Sequence, residues 1–171
     1  MMARLVAVAC AVAGAHLVAA PLAITRSVRV ISDTLNGPAP RIVPGTIVDY
    51  EIVVANQLDV FLRPAQDEKI SETIPDTIRV RLTPLGANGS PVQFEDGGLL
   101  GLGILPSGAT FSFVSLASQT DGLDFSNGAW GYVPQPDANG YDPALRGIRV
   151  TLGGTHQAGR SFRLRYRALI P

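Results

Sequence analysis

The chain has 171 residues, with 14 basic and 14 acidic side chains and a formal net charge of zero. That balance argues against a nucleic-acid partner, because affinity for phosphate backbones comes from a surplus of cations gathered on one face. The length suits one domain, and roughly two-thirds of the unfolded surface of about 150 residues is buried on folding, enough for a core without disulfides or a structural metal.

The first twenty residues, "MMARLVAVACAVAGAHLVAA", carry Arg4 and then an alanine- and valine-rich run ending in small residues. This is the layout of a secretory signal peptide, predicted as a helix over 1–20 with cleavage falling between 15 and 23. Ala13-Gly14-Ala15 fits the small-x-small rule, whereas Pro21 counts against a cut directly after Ala20. The run is too short and too alanine-rich for a membrane span. Cys10, the chain's one cysteine, has too few apolar residues before it for a lipoprotein site. The expectation is therefore an exported protein (secreted, periplasmic or at the cell surface) with no transmembrane anchor after leader removal and a single domain over 21–171.

Beyond the leader, alternation dominates and turn residues punctuate it about every ten positions, the signature of an antiparallel sandwich or barrel. "TRSVRVIS" sets Val28 and Val30 opposite Arg29. "TIVDYEIVVAN" sets Val48, Tyr50, Ile52 and Val54 opposite Asp49 and Glu51, as a period of two requires. "LDVFL" then places Leu58, Val60, Phe61 and Leu62 in a connection, either as a further strand or as an adhesive loop. "TIRVRL" sets Ile78, Val80 and Leu82 opposite Arg79 and Arg81. "GGLLGLGIL", Gly97 to Leu105, reads as a buried strand loosened by glycine, or as an exposed patch for assembly. "ATFSFVSL" carries Phe111 and Phe113, and "GIRVTL" sets Ile148, Val150 and Leu152 opposite Arg149. "LGGTHQAG" reads as a hairpin loop leading into the closing stretch, "SFRLRYRALIP". Its arginines Arg163, Arg165 and Arg167 obey the same rule as the other strands. Phe162, Leu164, Tyr166, Ala168 and Ile170 form the core face, and the guanidinium groups face outward, where Asp49 and Glu51 would meet them as surface ion pairs.

Few residues suggest chemistry. His156, the one histidine past the leader, sits in a glycine-rich loop and is expected to be solvated. With no cysteine beside it, Cys–His catalysis and histidine-rich zinc sites fall away. Nor does any phosphate-cradling glycine loop lead into a helix. Two features are candidates for binding. Asp137, Asn139 and Asp142, spaced around Gly140, are oxygen donors in the manner of a calcium loop, although no glutamate follows to complete it and the same residues make ordinary turns. Trp130, Tyr132 and Tyr141 gather nearby and would either fill the core or stack on a sugar ring. "NGSP", Asn88 to Pro91, is a turn.

"PGTIVDYEIVVAN" (Pro44–Asn56), "ISETIPDTIRV" (Ile70–Val80) and "LPSGATFSF" (Leu105–Phe113) together resemble the conserved-repeat domain of bacterial cell-surface proteins. That family reads PG-x-x-x-x-Y-x-I-x-V-x-N, then D-x-L-P, then a glycine-rich turn and a closing strand. Here Glu72 and Ile74 replace its usual aspartate and leucine, and "QLDVFLRPAQDEK" replaces the glycine after the asparagine. The stretch from Asn127 to Arg167 also resembles the C-terminal part of single-domain secreted members. The resemblance implies an immunoglobulin-like all-β sandwich, export, and a structural or adhesive role through envelope or extracellular protein partners or self-association. It implies no catalytic residue and no cofactor. The alternative is a carbohydrate- or calcium-binding module.

Overall fold

Two long strands with the same alternation meet edge to edge and set the frame of the molecule. The computed structural model describes residues 22–35, 40–86, 88–97 and 105–171; the leader read over 1–20 and residues 98–104 of the glycine-loosened apolar run lie outside the described residues. Among those described, the strands are β1 (Leu22–Ser32), β2 (Ile47–Asn56), β3 (Lys69–Thr73), β4 (Arg79–Val80), β5 (Val92–Asp96), β6 (Ala109–Thr110), β7 (Leu123–Ser126), β8 (Gly147–Thr151), β9 (Gly153–Gly154) and β10 (Arg160–Leu169). Every pairing is antiparallel. No described residue is helical, so none of the described residues forms a helix long and apolar enough to cross a membrane.

β2 lies at the middle of the larger sheet. β1 runs along one of its edges, Leu22 opposite Asn56 through Val30 opposite Val48. β10 runs along the other, Arg160 opposite Asn56 through Leu169 opposite Ile47. On the far side of β10, β5 takes the stretch from Phe162 to Tyr166 and β4 takes Ala168 and Leu169. The smaller sheet has the order β3-β8-β7, and β6 pairs with β9 apart from both.

The two sheets share one core. Ile52 and Val54 from β2 and Phe162, Leu164 and Tyr166 from β10 join Ile70, Leu123, Phe125, Ile148 and Val150 from the smaller sheet. Each such side chain contributes about 1.5–3 kcal/mol on leaving water, so these two layers account for most of the driving force.

Three sequence expectations change. The stretch "TIRVRL" keeps its alternation, with Ile78, Val80 and Leu82 buried, but only Arg79 and Val80 join a ladder. In "ATFSFVSL" pairing stops after Thr110, because Leu152, the next residue on the partner side, gives its N–H to the Glu68 carbonyl instead. Phe111 and Phe113 still pack on the core from an unpaired extended chain. Asp49 is outward, as its alternation requires, yet it is not a surface charge: its exposure is 0%. Arg167 donates to it through Nε at 2.7 Å and Nη2 at 3.0 Å. Arg29 Nη2 at 3.3 Å and Arg165 Nη1 at 3.4 Å close the remaining sides. Three guanidinium groups from the two flanking strands thus roof one carboxylate.

Candidate functional site

The loop singled out for calcium and sugar binding is built differently from either. Asp137 Oδ1 accepts from the backbone N–H groups of Asn139 (2.8 Å) and Tyr141 (3.0 Å), an aspartate-stabilised turn. Asp142 is buried and accepts from Gln135 N, Ala144 N and the Tyr132 hydroxyl, all at 2.7–2.8 Å. Burial pulls the Asp142 carboxyl up, but the Gln135 and Ala144 N–H groups, the Tyr132 hydroxyl and nearby Arg146 outweigh it and hold the group below the usual carboxylate range. Both carboxylates therefore serve to fold their own loop. Tyr132 packs against the core, its hydroxyl held protonated by the bond to Asp142. Trp130 is exposed, reached through a bridge to Ser126, with the Arg149 guanidinium 4.4 Å above its ring. Tyr141 is half-buried and bridges to Arg81. The three aromatic residues thus have separate structural duties.

A better-formed concavity lies beside β1, where the smaller sheet ends. A cleft of about 340 Å³ opens between β1 and β2 on one side and β3, Pro75 and Ile78 on the other. Its floor is Tyr50 and Tyr166, opposite each other in the β2–β10 register and stacked at 5.2 Å with rings 10° from parallel. Burial pushes both phenols up, and for Tyr166 the nearby Glu72 carboxylate and Tyr50 add to it, so both remain hydroxyl donors. At the mouth, Arg26 donates to Glu72 Oε1 through Nε (3.0 Å) and Nη2 (2.8 Å), tying β1 to β3. The cleft offers an apolar aromatic floor under a paired cation and anion, a setting for a flat or ring-shaped ligand.

The third place is the end of the sandwich where β2 finishes. Asn56, fully buried, donates through Nδ2 to Arg63 O (2.8 Å) and His156 O (2.9 Å), stapling the connection after β2 to the loop before β10. From that base the turn carrying Leu58, Val60, Phe61 and Leu62 projects, with these side chains 63–90% exposed. "LDVFL" is therefore a loop rather than a strand. Asp59 Oδ1 accepts from Phe61 N (3.1 Å) and Arg63 N (3.3 Å), and Asp59 O accepts from Leu62 N (3.2 Å).

His156 corrects the expectation of a solvated loop residue: it is 1% exposed. Nδ1 lies 3.0 and 3.1 Å from the two Glu68 oxygens, and Nε2 lies 2.9 Å from the Arg160 carbonyl. The Arg160 carbonyl can only accept, so Nε2 donates to it, and Nδ1 faces the Glu68 carboxyl group. Burial alone would lower its pKa, but the bonds to Glu68 and to the Arg160 carbonyl outweigh that and raise it. The ring is fully engaged and leaves no free nitrogen for acid–base work. No pattern along the chain points to this pair, since its partners are 88 positions apart.

No protein-family model, no curated protein and no solved structure matches the chain.

Proposed function

We propose that the chain is an exported, immunoglobulin-like β-sandwich with a structural or adhesive role at the cell envelope or outside the cell. It works by self-association or through envelope and extracellular protein partners, without catalysis. The observation that carries this reading is β1. Eleven residues long, it pairs with β2 on one edge, and among the described residues no strand occupies its other edge. Long apolar edges are sites of strand addition, and proteins that avoid it place lysine, proline or early bulges there. β1 has no lysine and no proline, its register shift comes only after Val30, and Leu22, Ile24, Val28 and Ile31 are exposed. An antiparallel pair of β1 strands centred on Ser27 sets Ile24 against Val30, Thr25 against Arg29 and Arg26 against Val28, so that no two cations face each other. The leader and the resemblance to the conserved-repeat domain support the location.

Sedimentation velocity over rising protein concentration tests the edge: association is expected, and Ile24→Lys is expected to abolish it. A chain that stays monomeric at every concentration and captures no envelope protein through a cross-linker on β1 overturns the assembly role. Intact chain found in the cytoplasm on fractionation overturns the location.

A second reading, a carbohydrate- or calcium-binding module, is favoured by the Tyr50–Tyr166 cleft for its carbohydrate half. Its calcium half has less support, because Asp137 and Asp142 give their oxygens to their own loop. Titration calorimetry against oligosaccharides, with Tyr50→Ala as the control, tests it; absence of heat in the unaltered protein counts against it.

A further inference from the structure

We infer that the turn from Leu58 to Leu62 is a lipid-contacting wedge, and that this end of the sandwich rests on a bilayer with the turn in its outer part. Four large apolar side chains stand in one five-residue segment, Leu58, Val60, Phe61 and Leu62, at 70, 90, 74 and 63% exposure. Scattered exposed leucines are ordinary on proteins, whereas four large apolar side chains within five positions of one turn are not.

The bonding inside the turn points to lipid rather than to a protein groove. Three of its N–H groups are satisfied from within: Phe61, Leu62 and Arg63 all donate to Asp59. An apolar medium supplies no hydrogen bonds, so a segment that enters it must bring its own. The one acid in the turn is neutralised in place, Arg63 Nε lying 2.6 Å from Asp59 Oδ2. The same guanidinium sits 5.3 Å from the Phe61 ring centre. Leu62 holds a left-handed backbone, φ 48°, that a branched aliphatic side chain adopts only when its surroundings impose it. Asn56 anchors the base.

The chain outside the described residues arrives at this same end. Leu22 is opposite Asn56, and Asn56 is opposite Arg160, so the start of β1, the base of the turn and the start of β10 lie side by side. Twenty-one residues, including the run "LVAVACAVAGAHLVAA", precede Leu22. A membrane that holds or has just released that run lies next to the turn. The inference rests on the export reading only for which membrane is met; the wedge itself is tested on purified protein.

The test uses the full chain with Cys10→Ser, carrying an environment-sensitive fluorophore on Phe61→Cys or, as control, on Val114→Cys, which is exposed elsewhere. Vesicles of phosphatidylethanolamine with phosphatidylglycerol are expected to shift emission at position 61 to the blue, with quenching by spin labels at shallow lipid depth, and to leave position 114 unchanged. In the unlabelled chain, Val60→Asp is expected to lower the vesicle-bound fraction about tenfold without moving the melting temperature. Three results overturn the inference: aqueous emission at position 61 on vesicle-bound protein, binding unaffected by Val60→Asp, or a blue shift that follows protein concentration without vesicles, which would place a second copy on the turn.

Discussion

β1 and β10 are written in the same pattern and live in opposite environments. Both flank β2 along nearly its whole length, and both turn a set of apolar residues (Ile24 and Val28; Phe162 and Leu164) to the same side of the sheet, although β1 also places Arg26 there. Yet Phe162 and Leu164 on β10 are 0 and 1% exposed, whereas Ile24 and Val28 on β1 are 45 and 47% exposed. The difference lies in what stands opposite. The smaller sheet covers β10 and β2 and ends at β3, which reaches β1 through the Arg26–Glu72 bridge. Alternation fixes the face a residue takes; the partner layer decides whether that face is dry.

Substitutions should expose this contrast in graded steps. Phe162→Ala on β10 is expected to cost about 3–5 kcal/mol in urea unfolding, since it empties a fully buried site. Asp49→Asn removes the carboxylate beneath Arg29, Arg165 and Arg167 and is expected to cost about 2–3 kcal/mol. The figure falls short of that for a pair sealed from water because the three arginines keep contact with solvent. The outer face thereby shows a buried charge on the side that alternation assigns to water. Glu68→Gln, at the end of the sandwich, is expected to cost about 1.5–2 kcal/mol, the worth of a charged hydrogen bond. Because folding raises the His156 pKa, the stability from this pair is fully present below about pH 6.5, the unfolded histidine value, and is lost as pH rises through the higher folded value. Melting temperature should therefore fall from mildly acidic to mildly alkaline pH, and Glu68→Gln should flatten that fall. The smallest effect belongs to β1: Ile24→Ala is expected to cost under about 1 kcal/mol, since half of that side chain is already wet. Parity between Ile24→Ala and Phe162→Ala would mean that β1 is covered in solution.

The all-β antiparallel character was legible because β2, β8 and β10 carry uninterrupted period-two runs, and such a run identifies its own buried face. Short strands were less so. "TIRVRL" and "ATFSFVSL" alternate as cleanly as β10, but ladder length depends on the partner, and beyond Thr110 the partner residue Leu152 bonds to Glu68 instead. The candidate site was hardly legible. Trp130, Tyr132 and Tyr141 are near in sequence and have unrelated structural duties, whereas Tyr50 and Tyr166 are stacked from positions 116 residues apart. The burial of Asp49 and His156 depends on pairing register and on a remote glutamate, neither of which spacing along the chain encodes. The turn from Leu58 to Leu62 was visible as an apolar connection; the bonds that Asp59 accepts from three of its N–H groups were not.

The central place of β10 also sets the order in which the molecule can form. β5 and β4 reach the larger sheet only through β10, and β2 has β1 alone until residues 160–169 arrive. A chain emerging amino end first thus holds only the β1–β2 ribbon of this sheet, marginal in water, until β10 is out. A polypeptide with that property completes its larger sheet late.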